Sequence, residues 1–142
     1  CVVLRTKWQI TWSLGTGGRL WVAGCVMLGL WSSGALDELI RGHVLELGSG
    51  TGVVGLGIAR RRGLASRVTL TDGQAAVVEN LQCNAAATSA LGEILPVQAR
   101  LLDWKEPDLD GLTDAGPCCV DTVIGSDLTY DTAIMPALAA VL

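Results

Sequence analysis

Val44-Leu45-Glu46-Leu47-Gly48-Ser49-Gly50-Thr51-Gly52 is the stretch whose reading decides the fold. Residues 43–47 form a short apolar run that reads as a strand, and residues 48–52 read as a glycine-rich turn. Residues 52–62 then read as a helix that ends in Arg60-Arg61-Arg62-Gly63. Cations in a last turn with a glycine just beyond make a helix stop, so the arginine run is read as structural ahead of a binding patch. A glycine turn from strand to helix lets the backbone approach a ligand with no Cβ between them. The amino end of the helix adds free N–H donors.

The same alternation continues outward. Residues 67–71 read as a second strand closed by Asp72-Gly73, and residues 74–88 as a helix with Val78, Leu81 and Ala85 at 3–4 spacing. Residues 94–102 read as a third strand near a sheet edge, because Pro96 interrupts it. An acidic loop at 106–117, a fourth strand at 120–125 and a helix at 132–142 follow, with Pro136 tolerable only in that helix's first turn. Strands alternating with helices imply an α/β fold with a parallel sheet. Right-handed crossovers then put a ligand at the carboxyl ends of the strands, where the strand order reverses. Residues 48–52, 72, 103–104 and 126–130 all fall there. Upstream, residues 1–12 are β-rich, Gly15-Thr16-Gly17-Gly18 reads as a turn, and residues 19–32 read as a helix apolar on most sides and therefore buried. This divides the chain into an N-terminal strand or hairpin segment, 1–18, and a ligand-binding domain, 19–142.

Composition sets the bounds. The chain has 142 residues, half of them hydrophobic and 17% charged, which is the signature of a packed domain. The longest apolar stretch, 20–31, is too short to span a bilayer, so no membrane association is expected. Five cysteines with no CxxC pair, and a single histidine, point to structural thiols in a reducing compartment and to no metal. A cytoplasmic or nuclear location is the expectation. Residues 1–71 hold eight Lys/Arg against three Asp/Glu, and residues 72–142 hold two against eleven. That balance does not favour nucleic acid. The acidic half reads as a solvated surface ahead of an attractor for a cationic substrate. The chain opens at Cys1 without Met and stops at Leu142 inside an apolar, helix-like run. Both ends therefore read as cut, and the chain as one that carries only part of a fold.

Two ligand classes suit the glycine turn. Gly50-Thr51-Gly52-Val53-Val54-Gly55 spells the G-x-G-x-x-G pattern of dinucleotide sites. An adenosyl sulfonium, S-adenosyl-L-methionine, is the other, favoured by glycines that begin at the strand end and by Glu46 two residues before Gly48. Asp72, 24 residues beyond Gly48 at the end of the next strand, can accept both hydroxyls of a ribose from either ligand. It can also serve as an N-cap before Gln74. Trp104, after the third strand, offers a flat indole to a purine or else seals the sheet edge. Asp127 and Tyr130, in Ser126-Asp127-Leu128-Thr129-Tyr130, set an acceptor and a phenol beyond the fourth strand. Alone that pair is an ordinary turn signal.

Taken in order, Thr16-Gly17-Gly18-Arg19-Leu20-Trp21, residues 44–52, Leu70-Thr71-Asp72, Asn80 with Asn84, Leu102-Asp103-Trp104 and residues 126–130 resemble the seven-strand lysine methyltransferase family 16. The likeness covers roughly residues 15–142. It implies a Rossmann-like class I methyltransferase sheet of which this chain supplies the first four strands. It implies S-adenosyl-L-methionine as cofactor, held by Trp21, Glu46, Gly48, Ser49, Gly50, Asp72, Trp104 and the backbone around Ser126. It also implies a protein substrate whose target lysine is placed by Asp127 and Tyr130, and a monomer is expected. Val22 departs from the family, whose members often carry Pro or Asp there. Three alternatives stay open at this point: a nicotinamide-dependent oxidoreductase, a methyltransferase acting on small molecules, and an inactive cofactor-binding fragment.

Overall fold

A computed structural model describes residues 15–112 and 119–142. The expected strand or hairpin at 1–12 lies outside the described residues. Four strands form one parallel sheet: β1 (Arg41–Leu47), β2 (Leu64–Asp72), β3 (Val97–Leu101) and β4 (Thr122–Gly125). Their order is β3-β2-β1-β4. The helices α1 (Val22–Ser33), α2 (Val53–Arg61) and α3 (Ala75–Ser89) come before β1, between β1 and β2, and between β2 and β3. A shorter helix, α4 (Met135–Val141), follows β4 and takes Pro136 in its first turn. After β3 the chain returns to the other side of β1. The order therefore reverses between β1 and β4, and the crevice at their carboxyl ends is the place such sheets offer a ligand.

Period-2 alternation divides β1 between two cores. Val44 faces the larger cluster, which joins Val54, Leu56, Ile58, Val68, Leu70, Val77 and Leu81 beneath the helices. Leu45 and Leu47 face the opposite cluster, with Leu102, Leu112 and Leu138. Both sides of β1 are covered, which explains why residues 43–47 are uniformly buried.

The structure moves several boundaries. β2 begins at Leu64, three residues before the expected start, and β3 occupies only 97–101 of the expected 94–102. β3 is an edge strand, as Pro96 suggested. The α2 stop falls one residue early: Arg62 itself adopts a positive φ of 74°, and Gly63 follows at 55°. The arginines are used locally. Arg61 pairs with Asp37 and lies 4.7 Å over the Trp31 ring, while Arg62 pairs with Glu93 at 2.8 Å.

The expectation that residues 19–32 form a buried helix is overturned. Trp21 is extended, so the helix starts at Val22, and only Gly24 and Trp31 within it are buried. Val22, Val26 and Leu30 are exposed, because among the described residues α1 packs mainly on α2 through its opposite side.

Candidate functional site

The site begins where β1 ends. Gly48 has a φ of 58°, and a Cβ added there would sit 2.6 Å from a Leu128 methyl and 3.4 Å from the Trp104 ring. Gly50 has a φ of 54° and would direct a Cβ to 3.2 Å from the Gly17 carbonyl. Both demand glycine for conformation as well as for space. The turn at 15–18 thus lies directly against the glycine loop. Trp21 secures it, since its indole N–H donates to the Thr16 carbonyl at 3.0 Å.

Ser49 staples the loop to β2. Its N–H donates to the Thr71 carbonyl at 2.8 Å, and its hydroxyl accepts the Thr71 N–H at 3.1 Å and donates to the Glu46 carbonyl at 3.2 Å. The Thr71 hydroxyl donates to that same carbonyl at 2.7 Å. Sequence reasoning gave Thr71 no part in the site. Its role depends on β2 pairing with β1, which no local pattern announces. From α3, the Asn84 amide donates to the Thr51 carbonyl at 2.9 Å and holds the far end of the loop.

Two carboxylates flank the turn. The Glu46 side chain shares a face with Val44, beneath α2, and its Oε2 accepts the Gly55 N–H at 3.0 Å. Gly52, the α2 N-cap, has no side chain to do this. Glu46 therefore satisfies a first-turn donor from a neighbouring strand. It is 3% exposed. Burial pushes its carboxyl up to about 8, against the opposing effects of the Gly55 N–H and the nearby Ser49 hydroxyl. Asp72 accepts the Gly50 N–H and the Gln74 N–H, each at 3.2 Å, through different oxygens. Each oxygen keeps acceptor capacity. Burial raises the Asp72 carboxyl too, and backbone N–H groups oppose the shift. Asp72 is not the helix N-cap. That position is Gln74, which has no side-chain capping bond.

The ten sequence-predicted residues line one cavity of about 360 Å³: Trp21, Glu46, Gly48, Ser49, Gly50, Asp72, Trp104, Ser126, Asp127 and Tyr130. That volume lies within the roughly 300–1,000 Å³ range of small-molecule sites. Sequence reasoning assigned no role to Leu128 or Arg19, which also line it. Leu128 packs against Gly48 and Gly125, and its signal was a lone apolar residue inside a polar loop. Trp104 sets its ring beside Gly48 and has a buried indole N–H without an acceptor among the described residues. Asp127 is exposed and holds a φ of 58°, a conformation that Asp tolerates better than most residues. Tyr130 is 70% exposed, at the mouth.

A parallel α/β sheet with a glycine loop at its switch point, and an acid ending the adjacent strand, defines the Rossmann-like class of nucleoside-binding proteins. Comparison with known proteins narrows this further. Residues 5–142 match the lysine methyltransferase family model, and the chain belongs to that family. It is 34% identical over 142 residues to the protein-lysine N-methyltransferase EFM3 of Chaetomium thermophilum, covering 99% of this chain and 41% of the relative. It is 34% identical over 126 residues to the protein N-lysine methyltransferase METTL21A of Danio rerio, covering 88% and 53%. A third relative, EFM3 of Saccharomyces cerevisiae, is 32% identical over 136 residues, covering 87% and 38%. The chain thus spans about half or less of the length of these relatives. Membership also settles the ambiguity of residues 50–55 against the oxidoreductase. Gly55 is required by packing in any case, since a Cβ there would sit 2.3 Å from Leu70.

Proposed function

We propose that this chain carries the donor-binding half of an enzyme that moves a methyl group from S-adenosyl-L-methionine to a lysine of a protein. One observation carries the reading: four separate segments, at 16–21, 46–51, 72–74 and 102–105, converge with residues 126–130 on a single cavity. The residues there fit the donor. Gly48 and Gly50 leave a cradle that a Cβ would fill, and Asp72 has lone pairs free for two hydroxyls. The Trp104 indole N–H is a buried donor that needs an acceptor.

When bound, the donor supplies a methyl group already activated on a sulfonium. The work left to the protein is alignment and exclusion of water. The glycine loop and Asp72 would hold the nucleoside from two sides. Trp104 and Leu128 wall the cavity on the face of the second apolar cluster. Asp127 and Tyr130 stand at the mouth, where a lysine would enter. The lysine ammonium would lose its proton to bulk water before attack, and Asp127 would accept a hydrogen bond from the neutral amine while Tyr130 orients it.

The test separates binding from transfer. With donor affinity measured by calorimetry and transfer by radiolabelled methyl on substrate protein, Asp127→Ala is expected to lower transfer about 100-fold or more while donor affinity stays within about threefold. Tyr130→Phe should lower transfer less. Undiminished transfer by Asp127→Ala would remove that residue from the mechanism.

A further inference from the structure

We propose that Leu128 is a positioning residue, whose side chain seats the 126–130 loop on the ends of β1 and β4 and so fixes Asp127 and Tyr130 relative to the glycine loop. The inference rests on the reading of this cavity as a donor site with those two residues at its mouth. Its basis is a seat made by two glycines. Gly48 follows β1 and Gly125 ends β4, and Leu47 pairs with Gly125 in the sheet. The glycines therefore lie close together at the switch point. Leu128 spans both. One of its methyls lies 2.6 Å from where a Cβ on Gly48 would be, and the other 2.4 Å from where a Cβ on Gly125 would be.

Leu128 is also the anchor of its own segment. Asp127, Thr129 and Tyr130 are exposed, whereas Leu128 is half-buried and packs on the cluster of Leu45, Leu47 and Leu102. Asp127, immediately before it, holds a φ of 58°, which residues with a side chain adopt reluctantly. The inserted leucine keeps the chain in that shape. Emptying the seat frees Asp127 and Tyr130 to wander. The donor side of the cavity has its own bonds, from Ser49 to Thr71 and from Gly50 to Asp72, and stays in place. Donor affinity is therefore kept while alignment of the lysine is lost, and alignment is most of what this reaction asks of the protein.

The test pairs two variants that disturb the seat from opposite sides. Leu128→Ala empties it. Gly125→Ala fills it, and because Gly125 ends a strand with no positive φ, the added methyl meets Leu128 without straining the backbone. Each should speed amide hydrogen exchange at 126–130 by about tenfold or more, with exchange in β1 and β2 unchanged. Affinity for S-adenosylhomocysteine, read by calorimetry, should stay within about threefold, while kcat for methyl transfer falls about tenfold or more. The double variant should be no worse than Leu128→Ala, since the new methyl enters space that the leucine has left. Leu128→Met keeps the volume and should retain slow exchange. Unchanged exchange at 126–130 in both single variants overturns the proposal. So do additive losses in the double variant, or faster exchange spread through the sheet, which would make Leu128 an ordinary core residue. No heat from S-adenosylhomocysteine with a cooperatively melting parent strikes the donor-site reading instead, and loop exchange still reports whether Leu128 seats the loop.

Discussion

Gly48 shows how much a single residue decides here. Its φ of 58° and the 2.6 Å approach of Leu128 leave no room for a side chain. Gly48→Ala should cost about 1–2 kcal/mol through backbone conformation alone, and should also push Leu128 into the cavity. We expect a lower melting temperature and donor affinity reduced at least tenfold, read by calorimetry. Glu46 makes a separate prediction about stability. Its folded-state carboxyl lies near 8, above the ordinary 4.5, so between those values the unfolded chain gives up a proton that the folded chain keeps. Stability from this group is full below about pH 4.5 and is lost as pH rises through about 8, by an amount on the order of a few kcal/mol. Thermal melts of the ligand-free protein across that window should show the decline, and Glu46→Gln should flatten it. A stability profile that rises across the window would contradict the burial argument. His43 shows the bland outcome for a lone histidine. It is buried, its Nδ1 meets the Cys119 carbonyl at 3.0 Å and its Nε2 meets the Thr69 hydroxyl at 2.8 Å. Burial lowers its affinity for a proton.

At the scale of elements, the helices hold the loop in place through a few anchors. Trp31 fixes α1: it is fully buried, its ring packs against Gly63, and Arg61 covers its face. Trp31→Ala should destabilise the domain by about 3–5 kcal/mol, measured by denaturant melts. Asn84 does the same for α3, because its amide is the bond from that helix to the Thr51 carbonyl. Asn84→Ala leaves a buried carbonyl short of a donor, at about 1–3 kcal/mol. Since Thr51 belongs to the cavity wall, donor affinity should fall along with stability. Element types were legible in the sequence because β1, α2, β2 and α3 combine strong periodicity with sharp stops. Their ends were less so. Leu64 and Ala65 join β2 only because β1 offers Arg41 and Gly42 as partners, and that pairing is not local.

For the whole molecule, the two sides of the sheet differ. Apolar clusters cover both faces of β1, whereas among the described residues β4 pairs on one side only, and its Val123 is 46% exposed. With Val22, Val26 and Leu30 of α1 also exposed, this chain presents apolar surface in two places. By itself it is expected to self-associate at micromolar concentration, as seen by sedimentation. Replacing Val26 and Val123 together by Lys should lower that association with little change in the melting transition. A chain that sediments as a monomer without these changes would show that the exposed residues are harmless.

The sequence by itself determined the order of elements, the glycine turn and the acid that ends the next strand, because backbone conformation at Gly48 and strand periodicity in β1 are local properties. The tertiary structure alone decided which side of β1 receives β4, that Glu46 lies under α2 in place of a cap, and that Ser49 and Thr71 lock the loop to β2. It also decided that α1 stays half uncovered. Each of these depends on pairing between segments far apart along the chain, and no local pattern encodes the environment that a distant partner brings.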